Sequence, residues 1–216
     1  MEPTIVHVCR HGQVENPDHV LYGRAPGYHL SALGRRMADR LGTFFADVEL
    51  AALFSSPLER TRETMAPIAA AHPELEVVID QRLIEAANAL EGRSFGTFNE
   101  RLLLPKNLVH LWNPFRPSWG EPYTAVAARM RPAIADAAAS VPQGSQVVVV
   151  SHQLPIWLAR LDAEGRSLIH LPTARECRQA SVTSFSFLEG RVVGVTYAEP
   201  CADLYPASKG ILRPGM

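Results

Sequence analysis

Thr4-Ile5-Val6-His7-Val8-Cys9-Arg10-His11-Gly12 is the stretch whose reading decides the fold. Its apolar, β-branched half has the length and composition of a strand buried on both faces, the kind that lies in a parallel sheet covered by helices. The polar half follows at once, in the place where open α/β sheets hold ligands, just outside the carboxyl ends of their strands. Working outward, Ala51 to Ser55, Glu76 to Ile79 and Gln146 to Val150 repeat the pattern as further strands buried on both faces. Helical patterns separate them. Ser31 caps a helix from about Ala32 to Ala46, and Ser56-Pro57-Leu58-Glu59 combines a capping box with proline at the first helical position. The alternation predicts a three-layer α/β/α fold with a mostly parallel sheet. Val182 to Leu188, Gly190 and Val192 to Tyr197 predict a hairpin that closes the sheet with an antiparallel edge.

The chain has 216 residues, 47% of them hydrophobic, enough for one well-packed domain. Residues 1–200 read as that domain. Within it the stretch 92–123, with Trp112, Pro114, Phe115, Pro117 and Trp119, breaks the rhythm and reads as a cap insertion over the sheet. An alanine-rich helix from about Thr124 to Ala139 follows it, and 201–216 reads as a peripheral tail. Net charge is −1 with no Lys/Arg block, so neither nucleic acid nor an anionic membrane surface is an expected partner. Any anionic ligand must be small and locally held. The N-terminus is too short and wrongly flanked for a signal peptide, and no 18-residue apolar stretch occurs. Cys9, Cys177 and Cys201 are odd in number and in no CxxC pattern, which argues for reduced thiols and against a zinc site. A cytoplasmic protein without metal or cofactor is the expectation. The aromatic-rich cap and the terminal edge hairpin are surfaces that could pair two copies into a homodimer.

Four strand ends carry polar groups able to converge: Arg10-His11-Gly12, Arg60 in the helix after the second strand, Glu85 after the third, and Ser151-His152 after the fourth. Two arginines, two histidines and a carboxylate suit phosphoryl transfer without a metal. A dianionic ester needs fixed positive charge and planar donors that match its oxygens, which arginine supplies bidentately. Neutral imidazole can attack phosphorus, and a carboxyl group can protonate the leaving oxygen. Singly, each residue has a plainer reading: a surface turn at Arg10-His11-Gly12, a solvated helix arginine at Arg60, a core histidine at His152, a loop carboxylate at Glu85. The company of the set in this order speaks against the surface turn, and Ser56-Pro57 placing Arg60 on the first turn speaks against the solvated arginine; the core histidine and the loop carboxylate stay open alternatives.

The set resembles the histidine phosphatase superfamily, the phosphoglycerate mutase-like family. The resemblance is carried by Arg10-His11-Gly12, Leu30-Ser31-Ala32-Leu33-Gly34, Ser55-Ser56-Pro57-Leu58-Glu59-Arg60-Thr61, Glu85 seven residues before Gly92, and Val150-Ser151-His152. It implies a phosphoglycerate mutase-like fold, attack on phosphorus by His11, phosphoryl oxygens held by Arg10, Arg60 and His152, and Glu85 as proton donor. One branch of that family places an aspartate directly after the second histidine as the acid; here Gln153 stands there. Glu91 and Glu121 are rivals to Glu85. The implied ligand is a small phosphorylated metabolite, with phosphate or sulfate able to occupy the same site.

The loop after the motif departs from many relatives. Val14 replaces a hydroxyl residue, and Asn16 falls five residues beyond the histidine, where relatives have asparagine at six. Asn16, Tyr22, Gly23 and Arg24 are the candidate substrate contacts. Leu102 to Trp112 contains Lys106 as its lone basic side chain of the Lys/Arg type, in place of the basic pair of the family's mutases, so a second phosphate would be poorly held. The expected activity is therefore hydrolysis of a phosphomonoester. A mutase that returns the phosphoryl group to another hydroxyl, and a catalytically silent phosphate-binding module, are the alternatives.

Overall fold

The computed structural model describes residues 2–88, 91–92 and 120–205. Six strands form one sheet: β1 (Thr4–Arg10), β2 (Leu50–Ser55), β3 (Val77–Ile79), β4 (Gln146–Ser151), β5 (Val182–Leu188) and β6 (Arg191–Ala198), in the order β3-β2-β4-β1-β5-β6. The first four of that order run parallel, and β5 and β6 are antiparallel additions on the β1 side. The four helices among the described residues are α1 (Ala32–Phe45), α2 (Glu59–Ala71), α3 (Tyr123–Ala139) and α4 (Gln153–Ala163). Helices α1 and α2 share a core with Leu53, Val148 and Val150 on one face of the sheet. On the other face α3 and α4 share theirs with Val6, Val8, Val147 and Val149. Alternate residues of β1 and β4 thus feed opposite layers, which is why those strands read as continuous apolar runs. The α/β reading of the sequence holds. No described helix is long and apolar enough to cross a membrane.

Three local expectations change. β3 is not buried on both faces, since Val78 and Ile79 are 49% and 44% exposed; it is an edge strand bonded only to β2, and Glu76 lies outside it. Helix α2 starts at Glu59, two residues later than the capping-box reading requires. Its N-cap is Leu58, with no side-chain cap bond, because the Ser56 hydroxyl is used elsewhere. Residues 201–205 of the expected peripheral tail pack against the core. Cys201 is fully buried, and the Tyr205 hydroxyl donates to the Gln179 carbonyl. Residues 206–216 and 93–119, which hold most of the expected cap with Lys106 and its aromatic cluster, lie outside the described residues. The two ends of that insertion meet in an antiparallel bridge between Asn88 and Gly120.

The loop after β1 is fixed by close backbone approach. Ser31 caps α1 by accepting from Gly34 N at 3.0 Å, and its own N–H and hydroxyl donate to the Gln13 carbonyl and side-chain oxygens at 2.9 and 2.8 Å. A Cβ on Gly34 would lie 1.9 Å from the Gln13 carbonyl oxygen, and one on Gly12 would lie 2.6 Å from the Gly34 carbonyl oxygen. Both contacts are backbone and cannot swing aside. Gly34→Ala is expected to lower stability in urea by about 2 to 4 kcal/mol through overpacking. A midpoint equal to wild type would contradict the close approach.

Candidate active site

The carboxyl ends of β1, β2 and β4 are stitched together by main-chain bonds. His11 N donates to Ser151 O at 3.1 Å, Ser56 N to Val150 O at 3.0 Å, and Arg10 N to Ser181 O at 3.0 Å. Adjacent ends in the parallel register, Arg10 opposite Ser151, then put the His11 and His152 rings 5.2 Å apart between centroids, edge to face. Arg60 enters from the first turn of α2 and is fully buried; Arg10 and His11 are each 2% exposed. Arginine is rarely buried without a carboxylate, so this arrangement is unusual on its face.

The hydrogen bonds define what each group can still do. His11 Nδ1 lies 2.8 Å from the Gly12 carbonyl oxygen, which can only accept, so Nδ1 carries the proton and Nε2 keeps its lone pair. Arg10 spends Nη1 on the Cys177 carbonyl at 2.8 Å, and Arg60 spends Nη2 on the Gly23 carbonyl at 2.7 Å. Arg10 Nε, Arg60 Nε and Nη1, and His152 Nδ1 are buried with no hydrogen-bond partner among the described residues. These atoms form a set of unmet polar sites beside a free imidazole nitrogen, and such a cluster calls for a physical reason. His152 Nε2 is 2.8 Å from the Ser56 hydroxyl, so Nδ1 is the nitrogen left for a ligand. Burial first, then the charges of Arg60 and Arg10, hold the His11 pKa well below its ordinary value; burial, Arg60 and His11 do the same to His152. Both imidazoles are thereby biased toward their neutral forms.

Three carboxylates stand near the pocket in different states. Burial raises the Glu85 pKa despite the opposing pull of Arg60, Arg10 and Arg175, and Glu85 Oε1 accepts from Ala86 N at 2.8 Å. Glu121 is committed elsewhere, to Arg24 Nη2 at 2.8 Å and Arg129 Nε at 2.9 Å. Although burial opposes it, these partners hold the Glu121 pKa below its ordinary value. Glu91 accepts from Arg24 N at 2.9 Å. Of the three, Glu85 is the carboxyl poised to be protonated near the paired histidines. Among the described residues no group of three or more His, Cys, Asp or Glu side chains converges as a metal-ligand set would.

The structure brings Arg10, His11, Arg60, Glu85 and His152 to one place. The loop candidates divide. The Tyr22 ring lies 4.8 Å from the Arg60 guanidinium in a cation–π contact, and Gly23 offers its carbonyl to the same arginine. Arg24 Nε donates to the Glu85 carbonyl at 2.7 Å, so it braces the acid's backbone. Asn16 is not brought in: both ends of its amide bond Val20. Sequence reading missed Ser56 as a partner of His152 and missed Arg175, whose charge acts on Glu85. The Ser56 signal was present but resembled a helix cap; Arg175 sits in no motif.

Residues 6–200 match the histidine phosphatase superfamily (branch 1). The uncharacterized protein Rv0525 of Mycobacterium tuberculosis is 49% identical over 201 residues, covering 93% of this chain and 98% of its own. Among solved structures, Bacillus stearothermophilus YhfR superposes with a TM-score of 0.75 at 26% identity, covering 88% of this chain and 94% of that one. A mycobacterial glucosyl-3-phosphoglycerate phosphatase, Rv2419c, in complex with VO3 superposes at 0.69 with 26% identity over 84% and 92% of the two chains.

The Glu121 network makes a stability prediction. Glu121→Gln leaves Arg24 and Arg129 without their shared carboxylate and is expected to cost about 2 to 3 kcal/mol near neutral pH. Because the folded-state pKa is depressed, the carboxylate's contribution is present above its ordinary value of 4.5 and fades as pH falls through the lower folded value. Urea melts across pH 3 to 7 should therefore show the gap between variant and wild type closing on acidification. A gap independent of pH would refute the assignment.

Proposed function

The chain belongs to the histidine phosphatase superfamily, and on that basis we propose that it is a metal-independent phosphomonoesterase working through a phosphohistidine on His11. The observation that carries this reading is the set of buried, unpartnered nitrogens on Arg10, Arg60 and His152 around the free Nε2 of His11. They match the oxygens of a tetrahedral phosphoryl group in number and kind, and they need no reorganisation when charge develops there.

In the first step His11 Nε2 forms the N–P bond as the ester P–O bond breaks, and Glu85 passes its proton to the departing oxygen. In the second, the Glu85 carboxylate takes a proton from water, the water oxygen bonds to phosphorus, and the N–P bond breaks to release phosphate and neutral imidazole. His152 donates through Nδ1, steered by Ser56. Arg10 and Arg60 supply the charge that a metal supplies in other phosphatases. Hydrolysis is favoured over mutase chemistry because Leu102 to Trp112 lacks the mutases' basic pair.

Wild type is expected to hydrolyse p-nitrophenyl phosphate in excess EDTA, with His11→Ala at least about 1,000-fold slower. Equal activity in the variant would sink the mechanism, and a silent wild type would favour a phosphate-binding module. The pH profile has a definite sign. His11 must be neutral, and its lowered pKa moves the acid limb of kcat/KM below 6.5. Glu85 must be protonated, and its raised pKa carries the alkaline limb above 4.5. A bell with its acid limb below 6.5 and its alkaline limb above 4.5 is expected, with Glu85→Gln removing the alkaline limb; an alkaline limb that survives Glu85→Gln would contradict the assignment.

A further inference from the structure

Glu85 stands in the loop just beyond the 3-10 turn Gln81–Leu83, outside the strand ladders that fix the other pocket residues. Its carboxyl accepts from Ala86 N, its own neighbour, at 2.8 Å, so the main chain of residues 85–87 decides where that carboxyl points. This main chain is held from outside at three points. Arg24 Nε donates to the Glu85 carbonyl at 2.7 Å, Ala87 N donates to Glu121 Oε2 at 3.4 Å, and Glu121 N donates to the Ala87 carbonyl at 2.9 Å.

The holders also hold one another. Arg24 Nη2 donates to Glu121 Oε2 at 2.8 Å, and Arg129 on α3 meets both oxygens of Glu121 at 2.9 and 3.1 Å while donating to the Arg82 carbonyl. Arg24 thus has a braced carboxylate behind it and the main chain of Glu85 in front, two directions that a planar fork serves at once and an ammonium does not. Its own loop meets the other side of the pocket. The Gly23 carbonyl accepts from Arg60 Nη2 at 2.7 Å, and the Glu91 carboxylate accepts from Arg24 N at 2.9 Å. Gly23 has φ +45°, and a Cβ there would lie 2.3 Å from Glu91 Oε2, so the turn is closed on a glycine. Two consecutive residues, Gly23 and Arg24, therefore tie Arg60 to the loop that carries Glu85.

We propose that Arg24 is a positioning residue: seated by Gly23 and Glu91 and backed by Glu121 and Arg129, it sets the Glu85 main chain so that the carboxyl meets the leaving oxygen while Arg60 holds the phosphoryl group. The proposal rests on the phosphatase reading above, and it assigns Arg24 to the acid rather than to the substrate. A brace that served stability alone would slow every ester alike. Support for the acid matters only as far as the departing oxygen needs its proton.

Two esters separate those cases. p-Nitrophenolate departs readily without a proton, whereas phenolate, with a pKa of about 10, needs one. The ratio of kcat/KM for phenyl phosphate to that for p-nitrophenyl phosphate, measured on one preparation of the full chain, does not depend on how much of a variant is folded. Arg24→Gln is expected to lower this ratio at least about tenfold, and Arg24→Lys to lower it less. Added to Glu85→Gln, Arg24→Gln is expected to change the ratio by less than about twofold, because the group through which Arg24 acts is already gone. A ratio untouched by Arg24→Gln, or a drop of equal size with and without the Glu85 carboxyl, would overturn the proposal. Wild-type silence on both esters would overturn the phosphatase reading, and the proposal with it.

Discussion

Arg10 and Arg60 lie buried with no carboxylate among the described residues within ion-pair distance of either, and most of the architecture around the pocket follows from supporting that arrangement. Burying one guanidinium costs several kcal/mol unless its N–H groups are met. Here the chain meets only part of each fork, using main-chain carbonyls of Cys177 and Gly23. Those carbonyls come from the loop before β5 and the loop before α1, so two distant segments must be held rigid to serve two side chains. The glycine contact at Gly12 and Gly34, the Ser31 cap and the brace of Arg24 on the Glu85 carbonyl fix those loops. Folding energy is thus invested in a pocket that leaves specific donors unsatisfied among the described residues.

The same positive field sorts the titratable groups. Two imidazoles that would be half-protonated near pH 6.5 in water are kept neutral by burial and by the arginines. A carboxyl that would ionise at 4.5 is pushed upward, because its burial outweighs the attraction of three arginines. Burial thus pushes both His11 and Glu85 toward their neutral forms, whereas Glu121, within the same loop cluster, is held ionised by direct pairing with Arg24 and Arg129. Two carboxylates near each other do different jobs because one has its own cations and the other shares a field.

Much of this was legible in the sequence, and the exceptions have physical causes. β1 and β4 were legible because both faces are covered, so Val6, Val8 and Val147 to Val150 are all apolar; β3 was misjudged because an edge strand can be just as β-branched while Val78 and Ile79 face solvent. Arg10, His11, Arg60, Glu85 and His152 were legible as polar groups at strand ends, where topology itself brings them together. Ser56 was misread as a helix cap, since serine followed by proline and an acid three positions on is the local signature of one, and only the tertiary position of His152 redirects the hydroxyl. Asn16 was assigned to the ligand, but an asparagine in a tight loop bonds its own backbone more readily. Arg175 had no sequence signal, since it sits in no motif and reaches Glu85 only through the tertiary fold.

The central claim is that phosphorus passes through a covalent bond to His11. Rapid quenching of wild-type protein with substrate into alkali, followed by digestion and mass spectrometry, tests it most directly. The account requires a phosphoryl adduct on the peptide containing His11, stable in alkali, lost in acid, and missing from His11→Ala. Turnover with no such adduct at any quench time, joined to inversion of configuration at a chiral phosphorus, would mean that water attacks the ester in a single displacement and would contradict the account.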